Sequence, residues 1–90
     1  MLKIFKYEIE PKDYIEFRLP EKAQILTVQT QNDRGCLWAL VNPDNKIITR
    51  YFCLIGTGHP IKEDIFSLSY CGTFQLIEGN LVFHLFEILK

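Results

Sequence analysis

An all-β fold, a single-domain antiparallel β-sandwich or small barrel of about seven strands, follows from three observations. Apolar residues recur with a period of two rather than 3.6. β-branched and aromatic residues are frequent, and the breaks between apolar runs are made of Pro, Gly, Asn and Asp. No segment offers a long amphipathic helix, and short strands at regular spacing are the signature of sandwiches and barrels.

Residues 2–9 (LKIFKYEI) alternate and read as a first strand that Pro11 ends. Residues 13–19 set Ile15, Phe17 and Leu19 against Tyr14, Glu16 and Arg18, a half-buried strand with one wet face. Residues 24–31 set Leu26 and Val28 against Thr27, Gln29 and Gln31, and Asn32-Asp33-Arg34-Gly35 marks a turn. Residues 36–41 (CLWALV) are a short buried strand, and Asn42-Pro43-Asp44-Asn45 is a second turn. Residues 46–55 form a strand with one internal charge, Arg50. Residues 66–77 line up Phe66, Leu68, Tyr70, Phe74 and Leu76, a row that Gly72 interrupts, which predicts a bulge or a close backbone approach. Glu78-Gly79-Asn80 is a hairpin turn. Residues 81–89 (LVFHLFEIL) are apolar on both faces, as a central strand or one covered by another subunit would be.

Ninety residues suffice for one domain with a modest core. Hydrophobic residues make up 48% and aromatic residues 13%, an apolar surplus that points to a homo-oligomer. The net charge of −1 and the scatter of Lys and Arg argue against general nucleic-acid binding, which draws its affinity from phosphate contacts. Cys36, Cys53 and Cys71 are odd in number and lack paired spacing, so they read as reduced core cysteines and not as a metal site. Residues 1–9 contain no signal-peptide h-region, and no apolar run approaches the roughly 20 residues that span a bilayer. A cytoplasmic protein that binds no membrane, metal or cofactor is expected.

The segment 56–61 is the best local candidate for binding. Gly56 and Gly58 permit positive φ, Thr57 adds a hydroxyl, and His59 adds a switchable donor, a combination that suits a phosphate or carboxylate group. A plain strand connection explains the same residues, and no P-loop sequence is present. Arg50, if its face is covered, needs an anionic partner, either Glu87 or a ligand. His84 reads first as a histidine satisfied by neighbours such as Thr73 or Gln75. Trp38 reads first as core filling, and more sharply as a stacking wall for a base. Gln29, Gln31, Thr73 and Gln75 would make a polar stripe if their strands are neighbours. No nucleophile elbow and no convergent carboxylate pair is evident, which argues against an enzyme.

The strings CLWALV, GTGHPI and GTFQ with LVFHLFE, together with Ile25-Leu26-Thr27-Val28-Gln29-Thr30-Gln31, resemble a family of small uncharacterised phage and prophage proteins. The resemblance covers essentially the whole chain and marks Gln29, Gln31, Trp38, Gly56 to Pro60, Gly72 to Gln75, His84 and Glu87. It carries no settled function. Small phage proteins often counter host defences, which makes capture of a phosphorylated, nucleotide-like signal the leading expectation. In that reading Thr57, Gly58 and His59 hold phosphate, Arg50 neutralises charge, and Gln29, Gln75 or Trp38 contacts base or ribose. The alternatives are a protein–protein inhibitor or assembly factor, and a signal-degrading hydrolase using His59 or His84 as base.

Overall fold

The computed structural model describes residues 1–89. Seven strands form two antiparallel sheets: β1 (Lys3–Ile9), β2 (Tyr14–Pro20), β3 (Gln24–Gln31), β4 (Arg34–Val41), β5 (Ile47–Gly56), β6 (Leu68–Leu76) and β7 (Leu81–Ile88). The three-stranded sheet has the order β1-β4-β3 and the four-stranded sheet β2-β5-β7-β6. A 3₁₀ turn, Ile65–Ser67, starts where a strand is expected, so β6 opens at Leu68. The last strand, apolar on both faces, is indeed internal to its sheet.

The core lies between the sheets. Ile15, Phe17 and Leu19 of β2 face Leu37, Ala39 and Val41 of β4, with Phe52 and Leu54 of β5 and Leu85 of β7 beside them. The Phe17 ring meets Phe52 edge-on at 5.2 Å between centroids, and Tyr7 lies 5.8 Å from Phe17. Burying such rings is worth roughly 1.5–3 kcal/mol each, the main favourable term in so small a domain.

Two bulges correct the expected faces. A register shift between Ile25 and Thr27 pushes Leu26 outward, so Ile25 and not Leu26 joins Val28 against the core. A second shift, between Tyr70 and Gly72, turns Leu68 and Tyr70 out while Cys71, Phe74 and Leu76 turn in. The row from Phe66 to Leu76 therefore does not share one face. Trp38 is also displaced from expectation: it is half-buried on the outer face of β4, opposite the core-facing Leu37 and Ala39. β4 is apolar on both faces, so alternation alone does not tell inside from outside.

Gly72 serves both roles expected of it. It ends the bulge, and it lets β6 approach β3 so closely that a Cβ there would sit 2.7 Å from the Val28 Cβ. Gly35 does the same on β4, where the Phe74 ring fills the place of a side chain. The tips of the sheets are clasped as well. Asn32 and Asp33 both have positive φ, as a two-residue type I′ hairpin requires. The Asp33 carboxylate accepts the Ile77 N–H at 2.7 Å. That bond holds Ile77 at φ 52°, a left-handed conformation costly for a β-branched residue. The β6–β7 turn thus starts one residue before the expected Glu78.

Gly72→Ala is expected to destabilise the protein by about 1–3 kcal/mol through overpacking against Val28. Chemical denaturation of wild type and variant measures it.

Candidate functional site

The outer face of the four-stranded sheet carries a chain of hydrogen bonds. His84 on β7 stands opposite Thr73 on β6, and its Nδ1 lies 2.8 Å from the Thr73 Oγ1. Its Nε2 lies 2.8 Å from the Thr57 Oγ1, just beyond β5. Thr73 Oγ1 continues the chain to the Tyr70 hydroxyl at 2.6 Å. A hydroxyl both donates and accepts, so either imidazole tautomer is satisfied. The expected histidine with local partners is what the structure holds, with Thr57 in the place of Gln75.

The 56–61 segment is a tight turn built mostly on its own donors. The His59 N–H donates to the Gly56 carbonyl at 3.0 Å, and the Thr57 N–H donates to the Val82 carbonyl at 3.1 Å. Gly58 has φ 87°, and the His59 ring lies over Gly56, where a Cβ would come within 3.1 Å of its Nδ1. Thr57 thus spends its N–H and its hydroxyl inside the fold. The His59 side of the turn walls a cleft of about 300 Å³, which Pro60, Lys62, Lys12, Tyr14 and Cys53 also line. Tyr14 donates its hydroxyl to Glu63 at 2.7 Å, which pins the connection over Cys53. That bond raises the Tyr14 phenol above its usual range.

Arg50 lies on the opposite, core-facing side of the same sheet. Its Nε and Nη2 donate to the two Glu87 carboxylate oxygens at 2.7 and 2.6 Å, and Nη1 donates to the Ala23 carbonyl at 2.7 Å. The Arg50 and Glu87 side chains are only 20% and 14% exposed. The pair therefore caps the end of the core, and Arg50 reaches across to the start of β3. The bond to Glu87 raises the Arg50 pKa further. Burial pushes the neighbouring Cys71 thiol up to about 11, so it stays protonated and a poor nucleophile. Cys36, Cys53 and Cys71 are all free.

The nine residues singled out from sequence fall in four places. Thr57, His84 and Gln75 share the outer face of the four-stranded sheet. Gly56, Gly58 and His59 shape the turn and its cleft. Arg50 caps the core, and Gln29 and Trp38 sit on the outer face of the three-stranded sheet. β3 and β6 do meet, through the Thr30 hydroxyl donating to the Gln75 carbonyl at 2.5 Å. Their glutamines point to opposite outer faces, so the polar stripe is divided.

The sequence places Phe66 and Tyr70 in an apolar strand row and Leu89 at the end of the apolar last strand, yet the structure leaves all three on the surface. Phe66 is 91% exposed, Tyr70 60% and Leu89 51%. They gather at one corner: Tyr70 packs on Phe86 at 5.4 Å between ring centroids, Leu68 pairs with Ile88, and the Leu89 N–H donates to the Ser67 carbonyl. Counting outward from the β6–β7 turn with one bulge pairs 70 with 86, the signal that would have found this corner.

Among the described residues, no three His, Cys, Asp or Glu side chains gather to hold a metal ion, and no helix is long and apolar enough to cross a membrane. Glu87→Gln, which leaves the Arg50 charge half-paired in a mostly dry site, is expected to cost about 2–3 kcal/mol in a denaturant titration. Comparison with curated proteins and with solved structures finds no match. Residues 1–89 match the model of a domain of unknown function, DUF7352, and the chain belongs to that family.

Proposed function

We propose that the protein is a non-enzymatic docking protein, an inhibitor or assembly factor that binds a host or phage protein through the apolar corner of its four-stranded sheet. The observation that carries this reading is the set of exposed apolar side chains Phe66, Tyr70 and Leu89 at one corner, where Tyr70 packs on Phe86 and the Leu89 N–H bonds the Ser67 carbonyl beside Phe66. Single exposed apolar residues are ordinary, but a contiguous group rich in aromatic rings marks an interaction site. Aromatic anchors supply much of the binding energy at such sites. The net charge of −1 fits docking by shape and apolar contact better than recognition of a polyanion. The free cysteines favour a reducing compartment, here the cytoplasm. The phage setting rests on the resemblance of the sequence motifs alone.

A second reading, sequestration of a small phosphorylated ligand such as a nucleotide defence signal, draws on the cleft beside His59. Lys12, Lys62 and His59 line it, and its volume is at the small end for ligand sites. It ranks second because Asp13 and Glu63 line the same cleft and balance the two lysines. The N–H groups of Thr57 and His59, moreover, are bonded within the fold.

Phe66→Ser removes an anchor that buries nothing in the isolated fold, so the variant is expected to fold normally and to lose its partner. Immobilised wild type should retain a defined protein from host lysate that the variant does not. Equal recovery by both would overturn the docking reading. For the second reading, calorimetric titration with cyclic nucleotides and ADP-ribose derivatives should give heat that Lys62→Glu abolishes. Flat titrations with wild type would remove it.

A further inference from the structure

The two sheets have four edge strands, and three of them are blunted. β3 and β6 each carry a bulge and close on each other through Thr30, Gln75, Val28 and Gly72. β2 ends on Pro20, which has no N–H to offer a ladder. β1 is different. Its seven residues pair with β4 without a register shift, and they include neither proline nor glycine. Such an edge presents a row of backbone donors and acceptors that templates another strand. Leu2 and Ile4 at its start are 61% and 60% exposed.

Charge along this edge is sorted. Lys3 and Lys6 occupy its N-terminal half, and Glu8 and Glu10 occupy or follow its C-terminal half. A strand laid antiparallel beside it meets that gradient with the opposite gradient when it has the same sequence. We infer that β1 pairs antiparallel with β1 of a second copy of this chain, joining the two three-stranded sheets into one continuous sheet about a two-fold axis.

The charges also select the register. Opposed residues in an antiparallel pair share a face, so self-pairing must centre on a residue and not between two. Centring on Lys6 sets Lys6 against its own copy, and centring on Glu8 sets two glutamates together. Like charges directly opposite are destabilising. Centring on Tyr7 sets Lys6 against Glu8 of the second copy, twice by symmetry, and Phe5 against Ile9 on the core-facing side. Within one copy Lys6 donates to Gln31 and Glu8 accepts from Arg34, bonds that hold both side chains along the outer face.

Sedimentation of the full chain tests the pairing. Wild type is expected to be a dimer, and a monomer at concentrations up to about 100 μM would overturn the inference. Lys6→Glu and Glu8→Lys should each raise the dimer dissociation constant about tenfold or more, and the double variant should recover wild-type affinity. Reversals without effect, or a double variant that stays weak, would overturn it. Amide exchange of β1 in the wild type should slow as protein concentration rises, and exchange independent of concentration would count decisively against it. Phe66→Ser leaves β1 untouched, so it should keep the dimer. Failure of the docking reading and failure of this one are therefore separately visible.

Discussion

The absence of a side chain at two positions shapes the rest of the molecule. Gly35 leaves room for the Phe74 ring, and Gly72 leaves room for Val28. Because neither position carries a Cβ, β6 closes down on β3 and one side of the sandwich is sealed. The closure is accompanied by the bulge at Cys71, which rotates Cys71 inward and Tyr70 outward. That rotation brings Tyr70 to the face of Thr73, which the register from the β6–β7 turn already sets opposite His84, and so completes the bonded series from Thr57 to Tyr70. At the far end of the same sheet, Arg50 and Glu87 do polar work at the core boundary, where unpaired charge would be costly. The pair also links the sheets, since Arg50 bonds the Ala23 carbonyl ahead of β3.

Much of this was legible in the residue order, and the exceptions have physical causes. Each strand lies where alternation and turn residues put it, within two residues at either end. The conditional reading of Arg50, covered and paired with Glu87, is realised, as is a locally satisfied His84. Faces were less legible than strands. A one-residue slip moves a whole strand's side chains to the other side of its sheet, and the bulges at Leu26 and Cys71 do this without any composition signal at Leu26. Trp38 was ambiguous for a different reason, because both faces of β4 are apolar. The grouping of candidate ligand residues failed at the same level: Gln29 and Gln75 belong to strands that touch, yet their sheets face apart.

The chemistry left over after folding is informative. The glycine-containing turn spends its backbone donors on its own carbonyls and on Val82, and its threonine is tied to His84. Arg50 has given bonds to Glu87 and Ala23. What remains unsatisfied is mostly apolar or main-chain: the aromatic corner around Phe66, and the uncovered side of β1.

The strand order also sets a timetable. The β3–β4 and β6–β7 hairpins join neighbours in sequence, and such units close in microseconds. β1 must wait for β4, β2 must wait for β5, and β5 is flanked on its other side only once β7 exists. Pairings of this long reach slow folding. During synthesis the N-terminal strands therefore leave the ribosome well before their partners, and the sandwich cannot be completed until β7 has been made. The interval in which β1 and β2 stand unpaired is the period in which this chain is most open to chaperones and to misassembly.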